Sequence, residues 1–510
     1  MAGHNEYASK RRISGRKTSG SWSTAVRAGA SRKADVSEDE VTSARFKGDD
    51  MAAAVSTKAK YLARFGYMST EMGGTFSFYM ISSFLSVFYT DAVGLTPMVV
   101  STLMLVVRII DAVAAPIMGG IIDGTRSKWG RARPWLLWGL PFLVLLSILT
   151  FSNFDFSGAG KVMYAYVTYI GLEFAFMMVD TAKGTLVNTI TADGQERVIL
   201  NSWRQVGASI VNIVLSAVTM PVILLLGNDS GAYQITNVIY GLISIPLILC
   251  GFFFCKETVS DVSVSGERIK FSESMSSLLK NPMLVFLMIS SILGVAASLS
   301  RLGTQVYYYQ YSLQRPDMAG SIMAAYQIGQ LVVPFFVPKL IQIAGKKMSM
   351  IVANLLDGAT LLILFLLGPD ANPMVVTVGS FFVGFFAMSS LISFSATSDC
   401  IEYGYFRNGR RTPGATVGAM TMGIKLGMAI GGSLGVFLLG AFGYQQGVDV
   451  TYEMRESINF VVNAVPAILM VLSVLPLVPY QLTNKRMEEI NARNAEADAR
   501  LAAQAEQTNN

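Results

Sequence analysis

Charged side chains interrupt the apolar stretches of this chain: Glu71, Arg108, Asp111, Glu173, Asp180, Lys183 and Arg204 in its first half, Arg301, Asp357 and Lys425 in its second. At the centre of a bilayer such a side chain costs about 2.5–3.5 kcal/mol on insertion scales, so these groups must face a wet cavity or one another. Asp111 and Asp180 have the chemistry to bind a cation or to titrate. A coupling cation needs oxygen ligands, or a carboxylate that takes up a proton when dehydrated. Lys425 can compete for the same carboxylates, and occupancy would then change the contacts between the elements that carry them. Arg108 and Asp111 are three residues apart, as are Asp180 and Lys183, so each pair shares a helix face and can instead neutralise itself. The functional reading is preferred for both aspartates.

The segment from Arg108 to Pro134, RIIDAVAAPIMGGIIDGTRSKWGRARP, joins an ionisable apolar run to a basic loop holding Arg126, Lys128, Arg131 and Arg133. Short loops rich in Lys and Arg stay on the cytoplasmic side. Asp123 with Arg126, Arg131 and Arg133 is expected to form a charge latch between helices on that side.

The elements that position these residues are apolar runs of about 20 residues, the length a bilayer core roughly 30 Å thick requires. They recur along a chain of 510 residues with only 15% charged residues and a mean hydropathy of +0.46. A soluble helical protein would show polar faces at helical period, and these runs do not. Twelve spans are expected near 67–90, 98–122, 134–153, 162–187, 199–226, 234–255, 283–312, 318–343, 348–368, 374–398, 415–441 and 457–480. The domain reading is a disordered basic cytoplasmic tail at 1–64, a six-helix bundle at 65–255, a polar cytoplasmic linker at 256–282, a second bundle at 283–482 and a cytoplasmic tail at 483–510. Within that last tail, Met487 to Gln507 reads as a soluble helix. Two bundles of six with a site at their interface is the layout of the major facilitator fold, an all-α membrane architecture. Glycine-dense runs such as TMGIKLGMAIGGSLG, from Thr421 to Gly435, permit close helix contact.

The sequence pI near 9.0 does not point to nucleic acid. Of the 40 Lys and Arg residues, 31 fall in the tails and loops read as cytoplasmic and three (Lys161, Arg315, Arg455) in the opposite loops. That asymmetry places the protein in the cytoplasmic membrane with both termini inside. Lys10, Arg11, Arg12, Arg16 and Lys17 could touch anionic lipid, although a solvated tail is the plainer reading. Cys250, Cys255 and Cys400 match no zinc or redox spacing, and no metal site or cofactor is expected. The one histidine is His4, in the polar tail. Proton chemistry in the membrane must then use carboxylates or lysines, and enzymatic activity has little support.

The runs FYTDAVGL (Phe88 to Leu95), RIIDAVAAPIMGGIIDGTRSKWGRARPW (Arg108 to Trp135), YVTYI (Tyr166 to Ile170) and SDCIEYGYFRNGRR (Ser398 to Arg411) resemble the glycoside–pentoside–hexuronide:cation symporters over roughly residues 66 to 480. The resemblance implies a cation role for Asp111 and a shared sugar and cation role for Asp180. It implies sugar-hydroxyl binding by Arg204, and a place for Lys425 near the cation. The chain also departs from the pattern of the melibiose carriers. A second acidic residue four positions after Asp111 is here Ala115, a span-one sugar aspartate is Thr75, and a sugar-stacking aromatic is Gly184, beside Lys183. A hard cation wants several oxygens, so the lost carboxylate favours a proton, or no coupling, over sodium. Lys183 and Arg204 could each pair with an acidic sugar.

The sequence therefore leads us to expect a monomeric transporter of a sugar or glycoside with a monovalent cation, working by alternating access in a lipid bilayer. Its substrate-binding residues would be Asp180, Arg204, Thr75, Lys183 and Gly184; Asp111, Asp180 and Lys425 would couple the cation. The rival readings are a carrier of hexuronides or other anionic sugars, a lipid or amphiphile carrier, and a membrane sugar sensor that does not transport.

Overall fold

The computed structural model describes residues 38–191, 194–257, 281–409, 413–445, 447 and 450–509. The chain divides into two units, Met1–Lys60 and Tyr61–Asn510, and the site lies in the second. In lipid every backbone polar group must be paired within the protein, which leaves helices as the economical solution for apolar runs of this length. The helices are α1 (Glu38–Ser83), α2 (Pro97–Gly124), α3 (Arg133–Thr150), α4 (Gly158–Ile190), α5 (Gly194–Leu225), α6 (Ser230–Phe254) and α7 (Pro282–Tyr307), followed by α8 (Ala319–Leu366), α9 (Pro373–Phe386), α10 (Ser389–Asn408), α11 (Pro413–Ala441), α12 (Tyr452–Asn459) and α13 (Asn484–Asn509). Proline opens α2, α7 and α9 at a position where its missing N–H costs nothing. The side chains of Asp229, Asn281 and Asn372 accept hydrogen bonds from the first free N–H groups of α6, α7 and α9.

Among the described residues ten segments are long and apolar enough to cross a membrane. The longest, Pro316–Leu366, is broken by Gly345 at φ 73°, a left-handed conformation that glycine adopts without strain. It therefore supplies two crossings, and α9 and α10 are two parts of one, Pro373–Asn408. With the apolar end of α1 the architecture is the expected major facilitator fold. The C-terminal segment is helical, as α13. One boundary needs correction: the tail read as disordered to residue 64 is helical from Glu38 onward, because residues 38–64 hold no proline and include six alanines, the best helix former. The basic residues from Lys10 to Lys17 and most of the 256–282 linker lie outside the described residues.

The first helix of each half ends in a π turn, Phe88–Ala92 after α1 and Tyr308–Ser312 after α7. These turns meet. Ser86 Oγ donates to Gly303 O at 2.6 Å, the Thr90 and Tyr307 hydroxyls lie 2.7 Å apart, and the Tyr311 and Tyr444 hydroxyls both donate to the Asp91 carboxylate. The two halves are thus fastened together at this end.

Small residues let α11 lie directly on α7. A Cβ placed on Gly427 would sit 2.7 Å from Ile292 O, and one on Gly431 would run into the Ala296 backbone. Gly431→Val is expected to cost about 1–3 kcal/mol through overpacking, read as a lower melting temperature in detergent. An unchanged melt would contradict this contact.

Candidate functional site

A cavity of about 320 Å³ lies between α1, α2, α4, α5 and α11, at the lower end of the size range of small-molecule sites. Thr75, Asp111, Asp180, Lys183 and Lys425 line it, together with Glu71, Arg108 and Glu173. Helical spacing accounts for this convergence. Arg108 and Asp111 share a face of α2, and Glu173, Asp180 and Lys183 stand two turns and then one turn apart on α4.

The charges are interlocked. Lys425 Nζ reaches from the second half to Asp111 Oδ2 at 3.0 Å. Arg108, which the sequence could pair with Asp111, bonds instead to Glu173 on α4 at 3.1 Å. Lys183 Nζ lies 2.9 Å from Glu71 Oε2 and 3.1 Å from Asp180 Oδ1, so the expected pair within α4 forms but is shared with α1. Arg204 on α5 reaches the same Glu71 oxygen at 3.4 Å. Four carboxylates thus face four cationic groups. Charges buried without a partner would cost several kcal/mol each, and here each of the eight has a group of opposite sign within 3.4 Å.

Exposure separates the pairs. The side chains of Arg108 and Glu173 are 11% and 6% exposed, a setting suited to structural support. Asp180 is 57% exposed at the carboxyl-bearing side chain, so it can meet a solute without first losing a protein contact. Thr75 lines the cavity and donates its hydroxyl to Glu71 O at 2.8 Å, leaving its lone pairs for a donor. Gly184 is exposed on the next position after Lys183 and leaves open space where a side chain would stand. Arg204 Nε has no hydrogen-bond partner among the described residues.

Glu71 and Glu173 were counted in the sequence as membrane charges without a role. The signal that could have found Glu71 is arithmetic. Asp180 alone cannot balance both Lys183 and Arg204, so a further acid had to be near.

The basic loop between α2 and α3 is fastened to the end of α6. Glu257 accepts backbone N–H bonds from Arg131, Ala132 and Arg133, each at 2.9 Å, and the Arg133 guanidinium donates to Phe252 O. Arg126 is exposed. The side chain of Asp123, the acidic member of the expected latch, lies outside the described residues. The G-x-S-x-G string at residues 431–435 lies inside α11, where Ser433 Oγ donates back to Ala429 O at 2.8 Å. It is packing material and lacks the strand-to-helix turn a nucleophile needs.

Residues 66–484 match the family described as MFS/sugar transport protein. The uncharacterized symporter YnaJ of Bacillus subtilis is 33% identical over 446 residues, covering 85% of this chain and 94% of its own length. The isoprimeverose transporter of Lactiplantibacillus pentosus is 29% identical over 447 residues, covering 86% and 92%. In fold, the crystal structure of the nucleoside transporter NupG superposes with a TM-score of 0.58 at 14% identity, covering 82% of this chain and all of that one.

Proposed function

Because this chain belongs to the MFS/sugar transport protein family, it is a multi-pass secondary active sugar transporter and not an enzyme, and we propose that it carries a neutral glycoside with a proton through the ion-pair cavity. The observation that carries this reading is the Lys425–Asp111 bridge, which spans the two halves at 3.0 Å. A proton on Asp111 removes the charge that holds Lys425 and loosens the halves from one another. Each carboxylate of the cavity faces an ammonium or guanidinium group instead of converging with other oxygens, as a sodium ion would require.

The sugar would sit on the exposed side of the cluster. Asp180 accepts from its hydroxyls, Arg204 and Lys183 donate to them, and Thr75 and the open space at Gly184 shape the pocket. A neutral polyol can join these bonds without disturbing the charge balance. An anionic sugar adds a charge that the four cationic groups do not already balance. The unpartnered Arg204 Nε supports the second reading, an acidic sugar whose carboxylate takes that donor.

The distribution of Lys and Arg supports cytoplasmic termini. On that orientation the end fastened at Asp91 faces outward.

Uptake of neutral and acidic glycosides into vesicles, with pH and sodium varied independently, tests this reading. Uptake of neutral sugars is expected to follow the pH gradient at fixed sodium. Uptake that follows sodium at fixed pH would replace the proton, and uptake of acidic sugars alone would move the substrate to the second reading.

A further inference from the structure

The eight charges of the cavity fall into two sets. Lys425 with Asp111 and Arg108 with Glu173 are closed pairs. The other four are joined through one atom. Glu71 Oε2 lies 2.9 Å from Lys183 Nζ and 3.4 Å from Arg204 Nη1, and Lys183 also reaches Asp180 at 3.1 Å. This set holds two acids and two bases, so its charges sum to zero.

The backbone of α1 makes room for the arrangement. A Cβ on Gly74, three residues after Glu71 and on the same helix face, would stand 3.0 Å from Lys183 Nζ. Glycine at this position lets the ammonium lie along α1. Thr75 gives its hydroxyl to Glu71 O, which leaves the Glu71 carboxylate to the two cations.

Exposure orders the four side chains. Asp180 and Arg204 are 57% and 37% exposed, Glu71 and Lys183 only 17% and 5%. A solute therefore meets Asp180 and Arg204, with the other two behind them. At 3.4 Å the contact between Glu71 and Arg204 is too long for a strong hydrogen bond, and Arg204 Nε has no partner among the described residues. Glu71 thus offsets the charge of Arg204 without consuming its donors. Such a guanidinium can donate to a neutral hydroxyl, yet the set around it has no surplus positive charge to hold a carboxylate. Without Glu71 the same set would carry a net charge of +1, which an anionic sugar would cancel.

We propose that Glu71 sets the charge preference of the sugar site: by balancing Lys183 and Arg204 it favours a neutral glycoside and rejects the corresponding uronide. This rests on the neutral-glycoside reading above and assigns the choice between it and the acidic-sugar reading to one residue. Glu71 needs no contact with the sugar. It is a positioning residue that acts through the two cations, and it gives specificity by making the wrong ligand unfavourable.

The experiment measures equilibrium binding to the purified full chain at pH 7, where the uronides are ionised. The probes are methyl glucoside and methyl glucuronide, and methyl galactoside and methyl galacturonide, so that the members of each pair differ only at the sixth carbon. Glu71→Gln keeps the size of the side chain and removes its charge. It is expected to shift the ratio of the two dissociation constants toward the uronide by about tenfold or more, the effect of one unit charge a few ångströms away at an effective dielectric near 20. Glu71→Asp keeps the charge and should keep the wild-type ratio. The double variant Glu71→Gln/Lys183→Met restores a sum of zero and should bring the ratio back to within about threefold of the wild type. A ratio unmoved in Glu71→Gln would overturn the proposal, as would a shifted ratio that persists in the double variant. Equal loss of both members of a pair in Glu71→Gln would do the same, because it would make Glu71 a general contact or a folding residue. Wild-type protein that binds the uronides better, or none of the four sugars, would instead remove the neutral-glycoside reading, and the selection with it.

Discussion

Asp111→Asn is expected to cut concentrative uptake of sugar by about 5–150-fold, the range of a typical coupling energy, while sugar exchange across the membrane persists. Asparagine keeps the size of the side chain but cannot titrate. It also offers Lys425 a neutral oxygen in place of a carboxylate, so the bridge across the halves at 3.0 Å is weakened in every state of the cycle. The protein can still alternate, because the halves no longer depend on protonation to part. What it loses is the link between a proton and the movement. The signature is uptake that no longer changes with the pH gradient, together with counterflow of labelled sugar at a rate near that of the wild type. A variant that accumulates sugar normally would show that Asp111 is outside the coupling path. One that loses exchange as well as accumulation would place Asp111 in sugar binding.

The second large effect is on folding. Arg108→Met should destabilise the protein by about 3–5 kcal/mol, the cost of leaving a buried charge without its partner. Glu173 is 6% exposed on the side chain and its ion pair is with Arg108. Methionine fills much of the same volume without supplying a charge. The double variant Arg108→Met/Glu173→Gln should recover most of the loss, because both members of the pair are then neutral. Melting in detergent checks both. If the double variant melts no higher than the single one, the pair is not what Arg108 contributes, and a direct role toward solute becomes the better account. Together the two experiments separate the coupled bridge from the structural one, although Arg108 and Asp111 stand one helical turn apart.

Hydropathy and the placement of Lys and Arg carry most of the architecture, because both are properties of the chain read in one dimension. Twelve crossings, the six-plus-six division and the basic loop after α2 follow from them. Boundaries were less legible: nothing in the polar residues 38–64 rules out helix, and the structure continues α1 upstream to Glu38. The resemblance of the Arg108–Trp135 run, supported by the match over residues 66–484, brought the family within reach.

Partner choice was harder to read, since it is decided in three dimensions. Spacing alone offers Asp111 to Arg108, and the fold gives Arg108 to Glu173 and Asp111 to Lys425 from the other half. Spacing does predict the Asp180–Lys183 contact, yet not that Glu71 shares the lysine. Asp357 and Arg301 were visible as charges, but only the packing of the second bundle shows that each keeps an unpaired buried atom.

The most direct test of the ion-pair cavity is to record proton movement while sugar enters. Purified protein in vesicles, without sodium and without an imposed gradient, would be given a transported sugar while a dye reports internal pH. The account predicts that sugar entry acidifies the interior in fixed proportion to the sugar taken up, and that Asp111→Asn takes up sugar with no pH change. Sugar entry in the wild type with no proton movement, or one that requires sodium, would contradict it.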